Sequence, residues 1–161
     1  MSNNNTKPLS FAPPSTQVCT FYVGKFHFGI EVPRVQEVLR TQRINSVPLA
    51  AEVIAGLINI RGQIVPAIDM RRRLKLEPRE EDSQPMNVVL RTEEGSVSLL
   101  VDDIGDVLDL HPSLIENPPD NMSSAARELI QSVYKLKDEL LLLLDAERTI
   151  SVGGDGATAA I

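Results

Sequence analysis

The stretch GLINIRGQIVPAIDM, residues 56–70, contains a single arginine within a largely apolar β-strand pattern. Apolar residues stand on both sides of the pair Arg61-Gly62, so the peptide can fold back on itself as two antiparallel strands. Gly62 supplies the positive φ that the reversal needs, in a type II turn or in a type I turn that ends in a glycine bulge. Turn chemistry does not favour an arginine before that glycine. We therefore predict a hairpin that displays Arg61, with a solvated arginine on an ordinary loop as the alternative.

The rest of the chain repeats this β pattern. Short runs rich in Val, Ile and Leu are separated by turn residues at the regular spacing that is typical of a β barrel or sandwich. The leucine run 140–144 predicts a central strand that is buried on both faces. Short helices are predicted over 33–40 and over 70–76, the second with Asp69 as its N-cap. Strands are predicted over 18–23, 27–32, 42–47, 55–60, 64–68, 87–91, 97–101, 105–110, 132–136 and 140–144.

Composition indicates the domain organisation. The polar, proline-rich residues 1–16 predict a flexible arm, and residues 152–161 predict a flexible tail. One domain is therefore expected over 17–151. The acidic, proline-containing segment 77–86 predicts a surface connection, with about five strands on either side of it. That division suggests two small barrels, each too small to be stable alone and packed against the other.

Charge and cysteine content limit the partners and the compartment. The chain has 16 basic and 22 acidic side chains among 161 residues, a formal net charge of −6, which argues against binding DNA or an anionic bilayer and favours a protein partner. Cys19 is the single cysteine, so no intramolecular disulfide is possible, and we predict a buried thiol in a reducing compartment. The longest apolar run, 140–144, is far shorter than the roughly 20 residues that span a membrane. A cytoplasmic protein is predicted.

The sequence offers no pattern typical of catalysis. His27 and His111 have no cysteine or carboxylate at a recognised ligand spacing, so we predict no metal site and no cofactor. Four aspartates, at 102, 103, 106 and 109, do not follow the order of a calcium-binding EF-hand, because Gly105 precedes the third of them. They are interpreted as a solvated strand end that faces a partner. Neither a nucleophile elbow nor a phosphate-binding loop is present.

The basic run at 71–73, with Lys75, is the best argument for a nucleic-acid site. Tryptophan is absent, aromatic residues make up 4% of the chain, and none lies among these charges to stack on bases. A solvated helix face, or contact with an acidic protein, is the favoured interpretation. An oligonucleotide-binding barrel is the alternative.

Three blocks in order carry a resemblance to a known family. They are FGIEVPRVQEVL (28–39), GLINIRGQIVPAIDMRRRLKL (56–76) and VVLRTEEGSVSLLVDDIGDVLDL (88–110). Over residues 18–150 the chain closely resembles the CheW family of bacterial chemotaxis coupling proteins. The resemblance implies an all-β fold of two five-stranded, SH3-like β barrels on a shared hydrophobic core. It also implies a noncatalytic adaptor in the cytoplasm that joins a CheA-type histidine kinase to the tips of methyl-accepting chemoreceptors in membrane-associated arrays.

The same resemblance assigns the site residues. Arg61, in the turn with Asn59 and Gly62, matches the family arginine implicated in partner binding. Glu37 matches a glutamate near that arginine, and the pair suggests an ion pair between the predicted helix and the turn. The apolar groove between the barrels, where a receptor tip would lie, is assigned to four residues: Val35, Val38, Ile104 and Val107.

One residue departs from the family pattern. The penultimate strand usually carries a glycine where this chain has Ser132, so the local detail of the last hairpin and any partner contact there are open. The resemblance applies equally to systems that control swimming, surface motility and development.

Overall fold

The computed structural model describes residues 15–151. Of the predicted arm and tail, only residues 15 and 16 lie inside that range, and Thr16 already begins the first strand. The described residues form eleven strands and three short helices. The helices are α1 (Met70–Arg73), α2 (Ser124–Leu129) and α3 (Ala146–Ile150). The strands are β1 (Thr16–Val23), β2 (Phe26–Glu31), β3 (Val35–Leu39), β4 (Ile54–Ile60), β5 (Gln63–Asp69), β6 (Met86–Thr92), β7 (Gly95–Val101), β8 (Asp103–Leu110), β9 (Ile115–Glu116), β10 (Ile130–Lys135) and β11 (Leu140–Leu144).

The strands build two sheets, which confirms the all-β prediction. The six-stranded sheet has the order β8-β1-β2-β11-β10-β9, and the five-stranded sheet has the order β3-β6-β7-β5-β4. Within the described residues each sheet has two edge strands, so the hydrogen-bond ladders do not close into barrels. The six-stranded sheet also has one strand more than the five that were expected in each barrel.

The two sheets do not correspond to two halves of the sequence. β1 and β2 belong to the six-stranded sheet, but β3 crosses over and pairs with β6 in the other sheet. Conversely, β8 follows β7 of the five-stranded sheet in the chain but pairs with β1 of the six-stranded sheet. The segment 77–85 has no regular secondary structure, and it joins α1 to β6. Strands that precede and strands that follow this segment are therefore present in both sheets.

One hydrophobic core lies between the two sheets. Phe21 and Phe28 of the six-stranded sheet pack in the same buried cluster as Ile68 and Leu99 of the other sheet. Helices α2 and α3 contribute Ala126, Leu129, Ala146 and Ile150 to this cluster. Each sheet also has a smaller cluster of its own. Because burial of apolar surface supplies most of the folding free energy, the shared cluster joins the sheets into one body.

The helix predicted over 33–40 is wrong. Val32–Arg34 forms a single 3₁₀ turn, which suits Pro33, and Val35–Leu39 is strand β3. The valines at 35 and 38 fit a helix by spacing, but they also fit a strand, where β-branched side chains pack well. Antiparallel pairing with β6, for example Val38 opposite Val88, decides the outcome because it satisfies the backbone groups.

Other local predictions had mixed outcomes. The strand predicted over 42–47 is wrong, since only an isolated bridge between Asn45 and Leu57 forms there. The second helix begins where expected, with the Asp69 side chain accepting a hydrogen bond from the Arg71 N–H, but it ends at Arg73. Strand β11 lies between β2 and β10 with four of its five leucines buried, as predicted. Helices α2 and α3 and strand β9 were not predicted.

Candidate functional site

The turn between β4 and β5 consists of Arg61 and Gly62, and we call it the arginine turn. Ile60 pairs with Gln63, so the loop has two residues, and both have positive φ angles, 50° at Arg61 and 87° at Gly62. This is a type I′ turn, not the type II or bulged type I turn expected. Type I′ turns match the twist of paired strands, which explains why the hairpin adopts one. Arginine pays a conformational cost there that glycine or asparagine would not.

Asn59 holds the arginine turn in shape from the strand beside it. Its side-chain oxygen accepts a hydrogen bond of 2.9 Å from the Gly62 N–H. An added Cβ at Gly62 would meet nothing within 4 Å, so the glycine is required for its backbone angle and not for space. The structure therefore gives both residues a role in positioning Arg61.

Arg61 forms the ion pair with Glu37 that the family resemblance suggested, although Glu37 lies on strand β3 and not on a helix. The Arg61 Nη2 atom donates to the Glu37 Oε2 atom. This hydrogen bond lowers the pKa of Glu37 and raises the pKa of Arg61, so each group favours the charged form of the other. The guanidinium side chain is still 68% exposed, whereas the Glu37 side chain is 19% exposed.

Curvature of the five-stranded sheet brings these two residues together. β3 and β4 are its opposite edges. Leu39 of β3 nevertheless packs against the buried cluster that contains Ile58 and Ile60 of β4, so the two edges approach one another through side chains. The pair Arg61 and Glu37 lies along this seam, exposed to solvent on one side.

The four residues assigned to the apolar groove fall into two groups. Val35 and Ile104 are partly buried and pack against the shared core from edge strands β3 and β8. Val38 and Val107, on the same two strands, are exposed by 38% and 55%. Each edge strand therefore has one residue that fixes it to the core and one that offers apolar surface to solvent.

The basic run after β5 is occupied by contacts within the chain. Arg72 donates to the Glu52 carbonyl at 3.0 Å and lies 3.5 Å from Asp69. Arg73 donates to three carbonyl oxygens at the end of α3, at distances between 2.9 and 3.3 Å. Burial lowers the pKa of Arg73, which fits a structural role for this side chain. The interpretation of this run as a solvated helix face is wrong for Arg73.

Arg71 belongs to an ion cluster that sequence reasoning missed. The Asp102 cluster consists of Asp69, Arg71, Arg79 and Asp102. Arg71 binds Asp102 with two nitrogens, at 3.0 Å from Nε to Oδ1 and 2.7 Å from Nη2 to Oδ2. Arg79 lies 3.2 Å from the same carboxylate and 3.6 Å from Asp69.

The Asp102 carboxylate also binds the β1–β2 hairpin of the six-stranded sheet. It accepts a 2.7 Å hydrogen bond from the N–H of Gly24, in the turn between β1 and β2. Burial alone would raise the pKa of Asp102, but the hydrogen bonds from Arg71 and Gly24 outweigh that effect and lower the pKa. Its interpretation as part of a solvated strand end is therefore wrong. No local sequence pattern pointed to this cluster, because the parallel pairing of β5 with β7, in which Asp69 lies opposite Leu100, is what brings Arg71 and Asp102 together.

The other candidate reactive side chains are Cys19 and His111. Cys19 is half-buried and not fully buried as predicted, and this partial burial raises the pKa of its thiol. His111 accepts a 3.1 Å hydrogen bond from the Ser113 N–H at the start of a 3₁₀ turn. Between residues 15 and 151 no group of three potential metal ligands is assembled. In the same range no helix has the length and apolar character needed to cross a membrane.

Fold and site together define a class of protein: a two-sheet all-β domain that displays an arginine turn beside an apolar edge. A family model described as CheW-like domain matches residues 17–153. The chain belongs to this family, whose members are chemotaxis coupling or scaffold proteins.

Individual relatives agree with that assignment. The chain is similar to chemotaxis protein CheW of Bacillus subtilis, at 28% identity over 83% of this chain and 86% of the relative. It is similar to chemotaxis protein CheW of Klebsiella aerogenes, at 29% identity over 81% of this chain and 79% of the relative. Scaffolding protein TtCheW from Thermoanaerobacter tengcongensis has the same fold, with a TM-score of 0.76 at 22% identity, over 88% of this chain and 97% of that one.

Proposed function

We propose that this chain is a noncatalytic adaptor that couples the cytoplasmic tips of methyl-accepting chemoreceptors to a CheA-type histidine kinase. Its family and its relatives, which are named as chemotaxis proteins, support a role in chemotaxis signalling. In this proposal the protein is cytoplasmic and is recruited to membrane-associated receptor arrays. It uses no cofactor, and any phosphoryl transfer is performed by the kinase.

The exposed Arg61 carries the proposal. An arginine in a left-handed turn is conformationally unfavourable, and its guanidinium is too exposed to contribute much to the fold. Glu37 fixes the direction of the side chain without covering it. A planar guanidinium held in one direction is suited to binding a carboxylate or a carbonyl group on another protein. We assign Arg61, Glu37, Asn59 and Gly62 to one partner surface on this basis.

The apolar groove is assigned to the receptor. Val38 and Val107 present apolar surface, while Val35 and Ile104 tie the same strands to the shared core. An amphipathic helix binds such a surface by placing its apolar face against it. Because Val35 and Ile104 hold the two edge strands on one core, the relative position of these strands does not depend on either partner.

The two contacts need only modest strength. Signalling arrays exchange components, so each interface is expected to bury about 1,200 to 1,600 Å² or less. Many weak contacts in a lattice give strong overall attachment because each bound neighbour raises the local concentration of the next.

The experiment compares one variant for each surface against both partners. We expect Arg61→Glu to fold normally and to weaken binding to one partner by more than about tenfold, because it replaces the cation by a repelling anion. We expect Val107→Lys to weaken receptor binding and to leave kinase binding within about twofold of wild type. Binding is measured with purified receptor fragments and purified kinase.

Two matched controls separate these effects from general surface damage. Lys137 is an exposed cation in a different hairpin turn, and Ile115 is an apolar residue on edge strand β9 with 53% exposure. Lys137→Glu and Ile115→Lys should bind both partners as wild type does. Wild-type binding of Arg61→Glu to both partners would refute the role of Arg61, and equal loss in the control variants would refute the assigned surfaces.

A further inference from the structure

A groove lies between strands β5 and β7, at the end of the five-stranded sheet where both strands begin. Its volume is about 570 Å³, and helix α3 contributes to its wall. Its apolar lining includes Ile64, Pro66, Val97 and Ile150. None of the residues assigned above to partner binding lines it. We call it the β5–β7 groove.

The groove exists because β5 and β7 pair over only part of their length. Their parallel ladder begins at Ala67 opposite Ser98, well after the start of either strand. One more rung towards the strand starts would pair Val65 with Ser96, and the Ser96 carbonyl would then need the N–H of residue 66. Residue 66 is a proline, which has no N–H, so the ladder stops there. The first residues of the two strands therefore leave a gap between them.

Two residues direct backbone groups into this gap. In a two-residue hairpin the residues that flank the loop hydrogen-bond to each other, and the next residue points its N–H and C=O to the opposite side. The flanking residues are Gln63 in β5 and Gly95 in β7. Ile64 and Ser96 therefore point their N–H and C=O groups into the gap, and in the described part of the chain neither pairs with a strand on that side. Such a free strand edge is a template for pairing with another chain.

The side chains of the groove add an apolar contact and negative charge. Ile64 is 61% exposed. The β6–β7 turn contributes Glu93 and Glu94, which are exposed and form no ion pair within residues 15–151. Helix α3 contributes Glu147, whose carboxylate is paired with Arg34. Among the described residues no basic side chain lines the groove, so its charge is negative.

We propose that the β5–β7 groove binds an extended segment of a partner protein in which apolar residues are flanked by lysine or arginine. The segment pairs as an added strand with the free edge at Ile64 and covers the side chain of this residue. Its basic residues lie beside Glu93 and Glu94. In strand addition the backbone hydrogen bonds supply affinity, and the side chains select the partner.

Charge favours a partner over a second copy of this chain. The chain has a formal net charge of −6, so a second copy would bring like charge to an acidic groove. The groove shares no residue with the surfaces assigned to the kinase and the receptor. Its failure would therefore leave the proposed adaptor role untouched.

The test uses three capped hexapeptides that differ in one property each. The basic peptide is acetyl-Lys-Val-Thr-Val-Thr-Lys-amide, the acidic peptide has glutamate at both ends, and the proline peptide has proline in place of the second valine. Each is titrated into the full chain and followed by amide chemical shifts and hydrogen exchange. We expect the basic peptide to bind at least about tenfold more tightly than either of the others, because the acidic one is repelled and the proline one lacks a strand donor. Binding should slow exchange of the Ile64 N–H.

Matched variants test the charge and the apolar contact separately. The double variant Glu93→Gln, Glu94→Gln should weaken binding of the basic peptide by about fivefold, whereas Glu80→Gln, Glu81→Gln in the exposed segment after α1 should have no effect. Ile64→Thr should also weaken binding, because it removes apolar contact and keeps a residue suited to a strand. Ile115→Thr makes the same change at an exposed edge residue elsewhere and should bind as wild type does.

Several results would overturn the proposal. They are equal binding of the basic and acidic peptides, unchanged exchange of the Ile64 N–H, wild-type affinity in the Glu93 and Glu94 double variant, or no binding of the basic peptide. Chemical-shift changes within residues 1–14 on adding the peptide would assign the groove to this chain's own arm. Dimerisation of the full chain that the basic peptide reverses would assign it to a second copy. Either outcome would also exclude a partner segment as the occupant.

Discussion

Two arginines only ten positions apart in the sequence serve this molecule in opposite ways. Arg61 and Arg71 each pair with a carboxylate from a distant part of the chain. The Arg61 side chain is 68% exposed and its partner is used to direct it, whereas the Arg71 side chain is 22% exposed and binds Asp102 through two nitrogens. Exposure and the number of hydrogen bonds, not the presence of an ion pair, therefore separate an arginine that can contact partners from one that stabilises the fold.

The largest effect is expected from Asp102→Ala. This change leaves Arg71 and Arg79 without their shared carboxylate and the Gly24 N–H without an acceptor. We expect a loss of about 2–3 kcal/mol in the free energy of unfolding, less than the roughly 3–5 kcal/mol for a fully buried pair, because the cluster is partly exposed. Urea unfolding measures the loss. Asp103→Ala, at the exposed neighbouring position, should change stability by less than about 0.5 kcal/mol; equal losses would show that the cluster does not stabilise the fold.

Lowering the pH is expected to reduce the free energy of unfolding by a smaller amount. The pKa of Asp102 in the folded protein is lowered from its ordinary value of 3.8, so the unfolded chain binds more protons at this site in that range. The stabilisation is therefore complete above the ordinary pKa and is lost as pH falls through the folded pKa. The stability difference between wild type and Asp102→Asn should narrow from about pH 5 to about pH 2.

Urea unfolding at each pH gives this difference directly. Asp103→Asn, at the adjacent exposed position, is the control for the effect of the substitution itself. A difference for Asp102→Asn that does not depend on pH would contradict the assignment of charge-dependent stabilisation to this carboxylate.

The smallest effect on stability is expected from substitutions in the arginine turn. Arg61→Ala and Arg61→Asn both remove the ion pair with Glu37, but only asparagine readily adopts the left-handed backbone found there. The Asn variant should therefore melt about 2 °C above the Ala variant. Both variants should bind the partner of Arg61 less well than wild type. If the two variants melt at the same temperature, backbone strain at Arg61 does not contribute to stability.

The sequence predicted the features that depend on neighbouring residues. The hairpin around Arg61, the N-cap at Asp69 and the buried run of leucines in β11 all follow from local patterns of turn, cap and apolar residues. The type of the turn was not predicted. Arginine rarely has positive φ, and the twist of the paired strands, which favours the type I′ turn, is not visible in the residues of the turn.

Features set by distant pairing were not predictable from the chain. The residues of β3 were predicted to form a helix from their local spacing. That prediction failed because the strand is set by pairing with β6, about fifty residues away. The Asp102 cluster was missed for the same reason, since Arg71 and Asp102 are separated by 31 positions. The partner-binding roles of Arg61, Glu37, Val38 and Val107 remain predictions, which the binding experiments above test.

The exchange of β3 and β8 between the sheets has a practical consequence. A cut within residues 77–85 would divide the chain into two pieces, and each piece would lack strands from both sheets. Neither piece could bury its half of the central cluster alone, so structure would return only when the two pieces recombine. Split at this position, the chain would act as a complementation pair whose reassembly reports that two tagged proteins have met.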